Sequence, residues 1–259
     1  MNHSPRKRFG QNFLHDPAVI GRIVQAINPG PDDSVVEIGP GQGAITLPLL
    51  QAAGKLNVVE LDRDLVGPLA ERCRDLGELA VHNADALSFD FCALVEDRPL
   101  RIVGNLPYNI STPLLFYLLR QHTCIQDMHF MLQKEVVGRM AARPGGSAWG
   151  RLSVMLQYRC EVLPLFDIGP GAFKPPPKVE SAFVRLVPHN SPPVEVEDET
   201  IFSDLVRQAF SQRRKTLRNT LRAILDVDEI SAAGIDPTAR AETLGLAEFA
   251  ALANRVSGR

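Results

Sequence analysis

The side chains best suited to chemistry lie in the tetrapeptide Asn105-Leu106-Pro107-Tyr108, directly after an apolar stretch that contains Ile102 and Val103. That stretch predicts a short buried strand, which places Asn105 at a carboxyl end, where open α/β sheets bind ligands. The carboxamide of Asn105 offers an acceptor and two donors, and the ring of Tyr108 can stack on a planar substrate. The alternative is an ordinary turn with a core tyrosine, and the tetrapeptide alone does not separate the two.

A glycine-rich turn, Gly39-Pro40-Gly41-Gln42-Gly43, follows a second predicted strand at residues 35–38 and precedes a helix predicted to begin at Ala44. Glycines there let the backbone approach a ligand and direct helix N-terminal amides towards it. Glu60 ends the next strand, about 20 residues further on, where such folds place an acceptor for ribose hydroxyls. The spacing also fits a loosened dinucleotide fingerprint, so an NAD-dependent enzyme remains an alternative on these residues alone.

A sheet must hold these turns together. Strands and helices alternate from the helix predicted at residues 17–27, opened by Asp16 and Pro17, to about residue 140, and this alternation predicts a doubly wound parallel sheet of the α/β class. A proline-rich loop at residues 171–178 follows and presents Phe173 between two late strands. Its three consecutive prolines predict a stiff, extended segment, for which a surface connector is the simpler explanation.

A second, small all-α domain is predicted after a linker at residues 189–193, so the expected domains are 1–188 and 194–259. Its helices are expected at 201–210, 216–225 and 239–253. The segment between Leu205 and Leu225 contains no acidic residue, which favours a phosphate-contacting surface. The basic residues of that surface are Arg207, Arg213, Arg214, Lys215, Arg218 and Arg222.

Composition sets further expectations. A net charge of −2 excludes a generally basic coat, so contact with a polyanion must come from local patches. The four cysteines lack metal-ligand spacing, which predicts reduced core thiols in a cytoplasmic protein without zinc or a disulfide framework. The sequence shows no signal peptide and no apolar run that could span a bilayer, and no element that would favour an oligomer, so a monomer without membrane contact is expected.

Taken in order, the motifs resemble those of the ribosomal RNA adenine N6-dimethyltransferase family, over nearly the whole chain from Arg6 to Asn254. The amino-terminal motifs are Phe9-Gly10-Gln11-Asn12-Phe13-Leu14, Glu37-Ile38-Gly39-Pro40-Gly41, Glu60-Leu61-Asp62-Arg63, Asp85-Ala86 and Asn105-Leu106-Pro107-Tyr108-Asn109. The later ones are Gln133-Lys134-Glu135-Val136, Gly150-Arg151-Leu152-Ser153, Phe173-Lys174-Pro175-Pro176-Pro177-Lys178-Val179 and Gln212-Arg213-Arg214-Lys215-Thr216-Leu217-Arg218-Asn219.

The resemblance implies a Rossmann-like methyltransferase that uses S-adenosylmethionine without a metal. Its implied reaction is N6,N6-dimethylation of two adjacent adenosines in the 3′-terminal hairpin loop of 16S rRNA in the small (30S) ribosomal subunit. Two alternatives remain: a 23S rRNA adenine methyltransferase of the macrolide-resistance type, and a ribosome-assembly factor that acts mainly by binding.

The resemblance also assigns roles to residues. For the methyl donor it implies that Asn12 and Leu14 form a lid over the methionine end and that Gly39 belongs to the turn under that end. Glu60 would accept hydrogen bonds from the ribose hydroxyls and Asp85 from the adenine amino group. Asn105 would border the donor site. The target adenine would meet Asn105, Leu106 and Pro107. It would stack on Tyr108, with Phe173 on its opposite face, while the basic residues of the helical domain hold rRNA phosphates.

Overall fold

The structure, a computed structural model, describes residues 12–258. Its strands, in chain order, are β1 Phe13–Leu14, β2 Ser34–Ile38, β3 Lys55–Val59, β4 Glu78–His82, β5 Leu100–Asn105, β6 Ile125–Gln133, β7 Cys160–Ile168, β8 Phe173–Lys174 and β9 Ser181–Pro188. Its α-helices are α1 Pro17–Ile27, α2 Thr46–Ala53, α3 Arg63–Cys73, α4 Ser111–Leu119, α5 Lys134–Met140, α6 Arg151–Arg159, α7 Glu199–Ala209, α8 Leu217–Thr220, α9 Val227–Ala232 and α10 Leu246–Ser257.

Seven strands form the central sheet in the order β4-β3-β2-β5-β6-β9-β7. The first five strands in this order, β4, β3, β2, β5 and β6, are parallel, as the alternating pattern predicted. The direction of the late strands was not predicted, and β9 pairs with β6 in the antiparallel direction, which makes the sheet mixed. After β6 two helices, α5 and α6, follow one another without an intervening strand, so the strand-helix alternation that produces parallel neighbours ends there.

Two helix starts match their sequence signals. The Asp16 carboxylate accepts hydrogen bonds from the amides of Ala18 and Val19 at 2.8 and 3.1 Å, which caps α1. Asp62 caps α3 in the same way. The helix after the glycine turn begins at Thr46 rather than at Ala44, because the preceding residues continue the turn.

The chain divides into two compact units. The first contains the sheet, and the second joins Gly138–Val162 to the chain from His189 onward. The boundaries expected from the sequence, 188 and 194, did not anticipate that the segment around α6 packs with the C-terminal helices. Its Trp149 and Tyr158 belong to the same hydrophobic cluster as Phe202, which explains the assignment.

The second unit is helical, but its elements differ from the expected ones. The helix expected at 216–225 is confined to the four residues of α8, after which the chain turns. The sequence analysis did not predict α9, although Asp226 and Glu229 form a capping box at its start. The helix expected at 239–253 begins only at Leu246, directly after Gly245, and extends to Ser257.

The expectation of four reduced cysteines was wrong. Cys92 and Cys124 form a disulfide, whereas Cys73 and Cys160 are free and buried. The two bonded residues are separated by 32 positions and meet only because the β4–β5 connection folds against the turn after α4, which spacing in the sequence does not reveal. Within residues 12–258, no helix has the length and apolar character needed to cross a bilayer.

A buried ionic network lies at the amino-terminal end of the central strands. The Arg101 guanidinium, on β5, donates to both carboxylate oxygens of Asp127 at 3.0 and 3.1 Å and to Asp33 at 2.8 Å. It also donates to the backbone oxygens of Ile27 and Asn28, at the end of α1. Because every donor group of the guanidinium has a partner, the network ties α1 to the sheet without leaving a buried charge unpaired.

Candidate active site

A cavity of about 350 Å³ opens at the carboxyl ends of β2, β3 and β5. Ligand sites of parallel sheets are expected at this edge. Nine of the residues that the sequence singled out line this cavity: Asn12, Leu14, Gly39, Glu60, Asp85, Asn105, Leu106, Pro107 and Tyr108.

Glu60 joins the end of β3 to the glycine turn. One of its carboxylate oxygens accepts from the Gly41 amide at 3.1 Å and the other accepts from the Asp62 amide at 2.8 Å. Burial raises the pKa of Glu60, and these backbone hydrogen bonds oppose that rise. A carboxylate has about four acceptor positions, so lone pairs remain for the hydroxyls of a ligand.

Glu37, near the end of β2, is a cavity residue whose role the sequence analysis did not assign. Its side chain is fully buried, and its Oε2 atom has no hydrogen-bond partner among residues 12–258. Burial raises the pKa of Glu37 to about 8; the Thr46 hydroxyl opposes this and the Glu60 charge adds to it. A carboxylate in an otherwise apolar strand was the available signal, because acids are rarely buried there without a function.

Asp85 lies on the loop after β4. Its Oδ1 atom accepts from the Leu87 amide at 2.9 Å, which shapes the loop. Asn83 holds the start of that loop against the end of β3, because its amide nitrogen donates to the Glu60 carbonyl at 2.8 Å. The second carboxylate oxygen of Asp85 remains available for a donor in the cavity.

Asn105 contacts the N-terminal segment through its side chain. Its amide nitrogen donates to the backbone oxygen of Asn12 at 3.1 Å. With the nitrogen so used, the side-chain oxygen is the acceptor that remains for a ligand. The Leu106 carbonyl, next in the chain, receives no hydrogen bond from the part of the chain that the structure describes.

Gly104 explains how β5 approaches β2 so closely. A Cβ atom there would lie 2.6 Å from the Ile38 backbone oxygen, a distance that real side chains do not reach. Because β5 continues past this glycine to Asn105, the glycine permits close packing of two strands and does not mark a turn. The positive φ of Gly41, +57°, confirms the expected need for glycine in the turn.

Tyr108 is half-buried, and its hydroxyl shares a hydrogen bond of 2.8 Å with the Ser181 hydroxyl. Burial raises the pKa of Tyr108, and this hydrogen bond opposes the rise. Ser181 is a second residue that the sequence analysis missed, because it lies 73 positions away on β9.

Phe173 does not lie where the resemblance suggested. It is 3% exposed, belongs to the hydrophobic core of the first unit, and is not among the residues that line the cavity. Phe173 pairs with Leu14 in the two-stranded β1–β8 sheet, so its ring is covered and cannot stack on a base in this arrangement. Its observed role is to hold the N-terminal strand beside the cavity.

The predicted basic residues of the second unit differ in their surroundings. Arg207 is paired with Asp204 at 3.0 Å, an acid just outside the sequence window, and Arg213 is paired with Glu242 at 3.4 Å. Arg214 and Lys215 are exposed and form no ion pair within the described residues. The remaining two cations, Arg218 and Arg222, are exposed as well.

Comparison with known proteins agrees with this geometry. The sequence pattern of the family described as ribosomal RNA adenine dimethylase matches residues 2–257. A ribosomal RNA small subunit methyltransferase A of Marinobacter nauticus is 59% identical over 97% of this chain and 91% of its own length.

Solved structures are similar in fold. A dimethyladenosine transferase from Plasmodium falciparum matches with a TM-score of 0.78 at 26% identity, over 93% of this chain and 95% of that one. The 23S rRNA methyltransferase ErmE matches with a TM-score of 0.73 at 27% identity, over 95% of this chain and 100% of that one. The fold is that of S-adenosylmethionine-dependent methyltransferases, which removes the dinucleotide alternative. The chain belongs to the ribosomal RNA adenine dimethylase family.

Proposed function

We propose that this enzyme uses S-adenosylmethionine to dimethylate N6 of two adjacent adenosines in the 3′-terminal hairpin loop of 16S rRNA, in the small (30S) ribosomal subunit. The observation that carries the proposal is one cavity that joins the carboxylates of Glu37, Glu60 and Asp85 to Asn105 and Tyr108. The 59% identity with a small-subunit enzyme, against 27% with a large-subunit one, supports the choice of subunit. Such a substrate implies a cytoplasmic enzyme, and we expect a monomer.

The cavity fits a cationic adenosine derivative. Glu60 and Asp85 offer acceptors to ribose hydroxyls and to an adenine amino group. The pKa of Glu37 is raised to about 8, and its Oε2 atom has no hydrogen-bond partner among residues 12–258, so the carboxyl can lose its proton when a positive ligand group binds and then supplies negative charge in a buried place. Asn12, Leu14 and Gly39 would close around the methionine end. S-adenosylmethionine, when bound, supplies an electrophilic methyl group.

The residues after β5 would prepare the nucleophile. The exocyclic N6 of adenine is a poor nucleophile because its lone pair is delocalised into the ring. The Asn105 side-chain oxygen and the Leu106 carbonyl would accept both N6 hydrogens and favour a pyramidal nitrogen with a free lone pair. Pro107 stiffens the turn that sets these acceptors. This is catalysis by positioning and electrostatics, and it needs no strong base.

The same arrangement permits a second transfer. The first transfer would form the N6–CH3 bond as the S–CH3 bond breaks, which leaves a neutral thioether, and the methylated N6 would lose one proton to solvent. N6 then retains one hydrogen, which one of the two acceptors can still hold. Tyr108 would stack on the adenine, which must leave its own stack to enter the cavity. Stacking on an aromatic ring contributes roughly 1–3 kcal/mol per base, comparable with the cost of unstacking.

The exposed cations of the second unit would bind the phosphate backbone. Arg214 and Lys215 are the best candidates because they have no competing ion pair within residues 12–258. Charge reversal at both positions should weaken rRNA binding and reduce its dependence on salt. Arg207→Glu is the matched comparison and should have a smaller effect, because Asp204 already neutralises that arginine. An unchanged salt slope in the double variant would contradict the assignment.

The test of the reaction is transfer of labelled methyl to small subunits that lack dimethyladenosine, with large subunits and free RNA alongside. Label recovered as dimethyladenosine near the 3′ end of 16S rRNA is the expected result. Label only in large-subunit RNA would contradict the proposal and support the resistance-type alternative. Absence of label with the cofactor bound would support a binding factor.

Asn105→Ala tests the mechanism. The variant should retain most of its S-adenosylmethionine affinity and lose most of its methyl transfer, because it lacks the amide oxygen that positions N6. Turnover at the wild-type rate would show that the amide does not act in this way.

A further inference from the structure

Tyr108 is held at two points by different elements, once at its backbone and once at the tip of its side chain. Its backbone carbonyl accepts a hydrogen bond from the Ser111 hydroxyl at 3.1 Å, at the start of α4. Its phenolic oxygen, at the other end of the side chain, lies 2.8 Å from the Ser181 hydroxyl. Since Tyr108 lies on the loop after β5, this second contact reaches past β6 to β9.

Ser181 is a rigid anchor point. Its side chain is 0% exposed, and it lies opposite Gln133 in the β6–β9 register. The adjoining Lys134 amide donates to the Glu180 carbonyl at 3.0 Å, and the Lys134 ammonium pairs with the Glu180 carboxylate at 3.0 Å. Ser181 therefore stands at the start of a strand whose position is set by backbone pairing with β6.

The hydrogen bond restricts a specific motion of the ring. The phenolic oxygen lies on the long axis of the side chain, so anchoring it prevents the axis from swinging about the Cα–Cβ bond. Loss of the anchor would leave the ring in place on average but free to tilt. A tilting ring holds an adenine less accurately, and small misplacement of a reacting atom slows transfer strongly.

We propose that Ser181 is a positioning residue for methyl transfer, which acts by fixing the axis of the Tyr108 ring against the target adenine. The inference rests on the proposed placement of the adenine on Tyr108. It assigns Ser181 no contact with substrate or cofactor. The second transfer should depend on the anchor more than the first, because monomethyladenine has only one N6 hydrogen with which to orient itself.

The experiment compares Ser181→Ala, Tyr108→Phe and the double variant, because each single change removes the same hydrogen bond from one side. Each should lower kcat by about tenfold, the usual effect of one lost hydrogen bond on a transition state. The KM for S-adenosylmethionine should stay unchanged, and monomethyladenosine should accumulate. The double variant should be no slower than either single variant.

Ser153→Ala is the matched control. Ser153 is also 0% exposed, and its hydroxyl donates to the Arg139 carbonyl at 2.5 Å, but it lies in the second unit. It should lower the thermal midpoint without changing the ratio of mono- to dimethyladenosine. If Ser181→Ala fails to fold, Tyr108→Phe still tests the bond, because it keeps the ring and changes only the half-buried hydroxyl.

Additive effects of the two single changes, or an unchanged product ratio in both, would overturn the role of Ser181. Tyr108→Ala separates this failure from a failure of the proposed function. If Tyr108→Ala is inactive while Ser181→Ala is normal, only the positioning role is refuted. If Tyr108→Ala also turns over normally, the adenine does not stack there, and both inferences fall.

Discussion

The two ends of the central strands bury charge in opposite ways. At the amino-terminal end, Arg101 and Asp127 satisfy one another and every guanidinium donor has a partner. At the carboxyl end, Glu37 is equally buried but keeps one oxygen without a partner among the described residues. Paired charge holds the fold together, whereas a buried carboxyl without a partner has a raised pKa, costs stability when it ionises, and is retained where a ligand supplies the partner. The difference separates the structural end of the sheet from the functional end.

The largest loss of stability is expected from removing one partner of the Arg101–Asp127 ion pair. Asp127→Ala leaves Arg101 buried opposite a cavity and also removes a partner of Arg185, 2.9 Å away. Loss of one member of a buried pair costs roughly 3–5 kcal/mol of stability. Denaturant unfolding with tryptophan or circular dichroism detection measures this, and a loss below about 1 kcal/mol would contradict the comparison.

Changing the unpaired end should affect binding instead. Glu37→Gln keeps the shape of the side chain and removes its charge, so S-adenosylmethionine affinity should fall about 10- to 100-fold, the range for a lost hydrogen bond to a charged group. Calorimetry in buffers of different ionisation enthalpy should show that proton release on binding, present in the wild type near pH 7.5, disappears. Unchanged affinity would show that Glu37 does not meet the ligand's positive charge.

Glu37 also sets a pH dependence of stability. Its pKa is raised from 4.5 to about 8 in the folded protein, so the folded state binds this proton more tightly and stability falls as pH rises through that window. Glu37→Gln should remove this fall. Urea unfolding of both proteins between pH 6.5 and 9 measures it, and parallel curves would argue against a neutral buried Glu37.

His129 should give the opposite slope. It is buried beside Asp127, and burial lowers the pKa of His129 from 6.5 to about 4. The unfolded chain therefore binds this proton more tightly, and stability falls as pH drops through that window. Both ring nitrogens lack hydrogen-bond partners within the described chain, so His129→Leu should change the free energy of unfolding by less than about 1.5 kcal/mol at pH 7. The variant should also lose less stability than the wild type as the pH falls from 6.5 to 4, which urea unfolding measures.

The smallest effect is expected from an exposed pair. Lys134 contacts Asp167 and Glu180 at 2.8 and 3.0 Å, and these hydrogen bonds raise the pKa of Lys134. Water screens such pairs, so Lys134→Ala should shift Tm by less than about 2 °C. A larger shift in Tm, measured by calorimetry, would show that an ion pair stabilises this protein even when it is exposed. Burial would then not be needed to explain the difference between the two ends of the central strands.

The sequence predicted most of the features that have local causes. Asp16, Asp62 and the glycine turn specify backbone conformation within a few residues, and alternating strands and helices predict the parallel part of the sheet. Among the cavity residues, Gly39, Glu60 and Asn105 followed from the ends of predicted strands, whereas Asn12, Leu14 and Asp85 followed only from the resemblance to the family. Features created by distant residues were missed: the Cys92–Cys124 bond, the hydroxyl pair of Tyr108 and Ser181, and the burial of Phe173.

The helical unit was harder to predict for a related reason. Helix α8 has only four residues, and its neighbour Thr216 pairs with Arg240 across a distant turn, a contact that no local periodicity encodes. Among residues 12–258, Arg214 has no ion pair whereas Arg207 has one, and this difference depends on neighbours outside the basic segment. The number of basic residues could be read from the sequence, but which of them form ion pairs could not.

Because of the short β1–β8 sheet, we expect two sides of the cavity to differ in how readily they open. One wall consists of the ends of the central strands, which we expect to open only with global unfolding. The other wall consists of the residues of β1, which a two-residue ladder holds in place. Such a ladder opens at a small fraction of that free energy, and hydrogen exchange should be correspondingly faster at Leu14 than at Val103. We therefore expect spent cofactor to be exchanged for fresh cofactor past the residues of β1 between the two proposed methylations, while the acceptors after β5 stay in place.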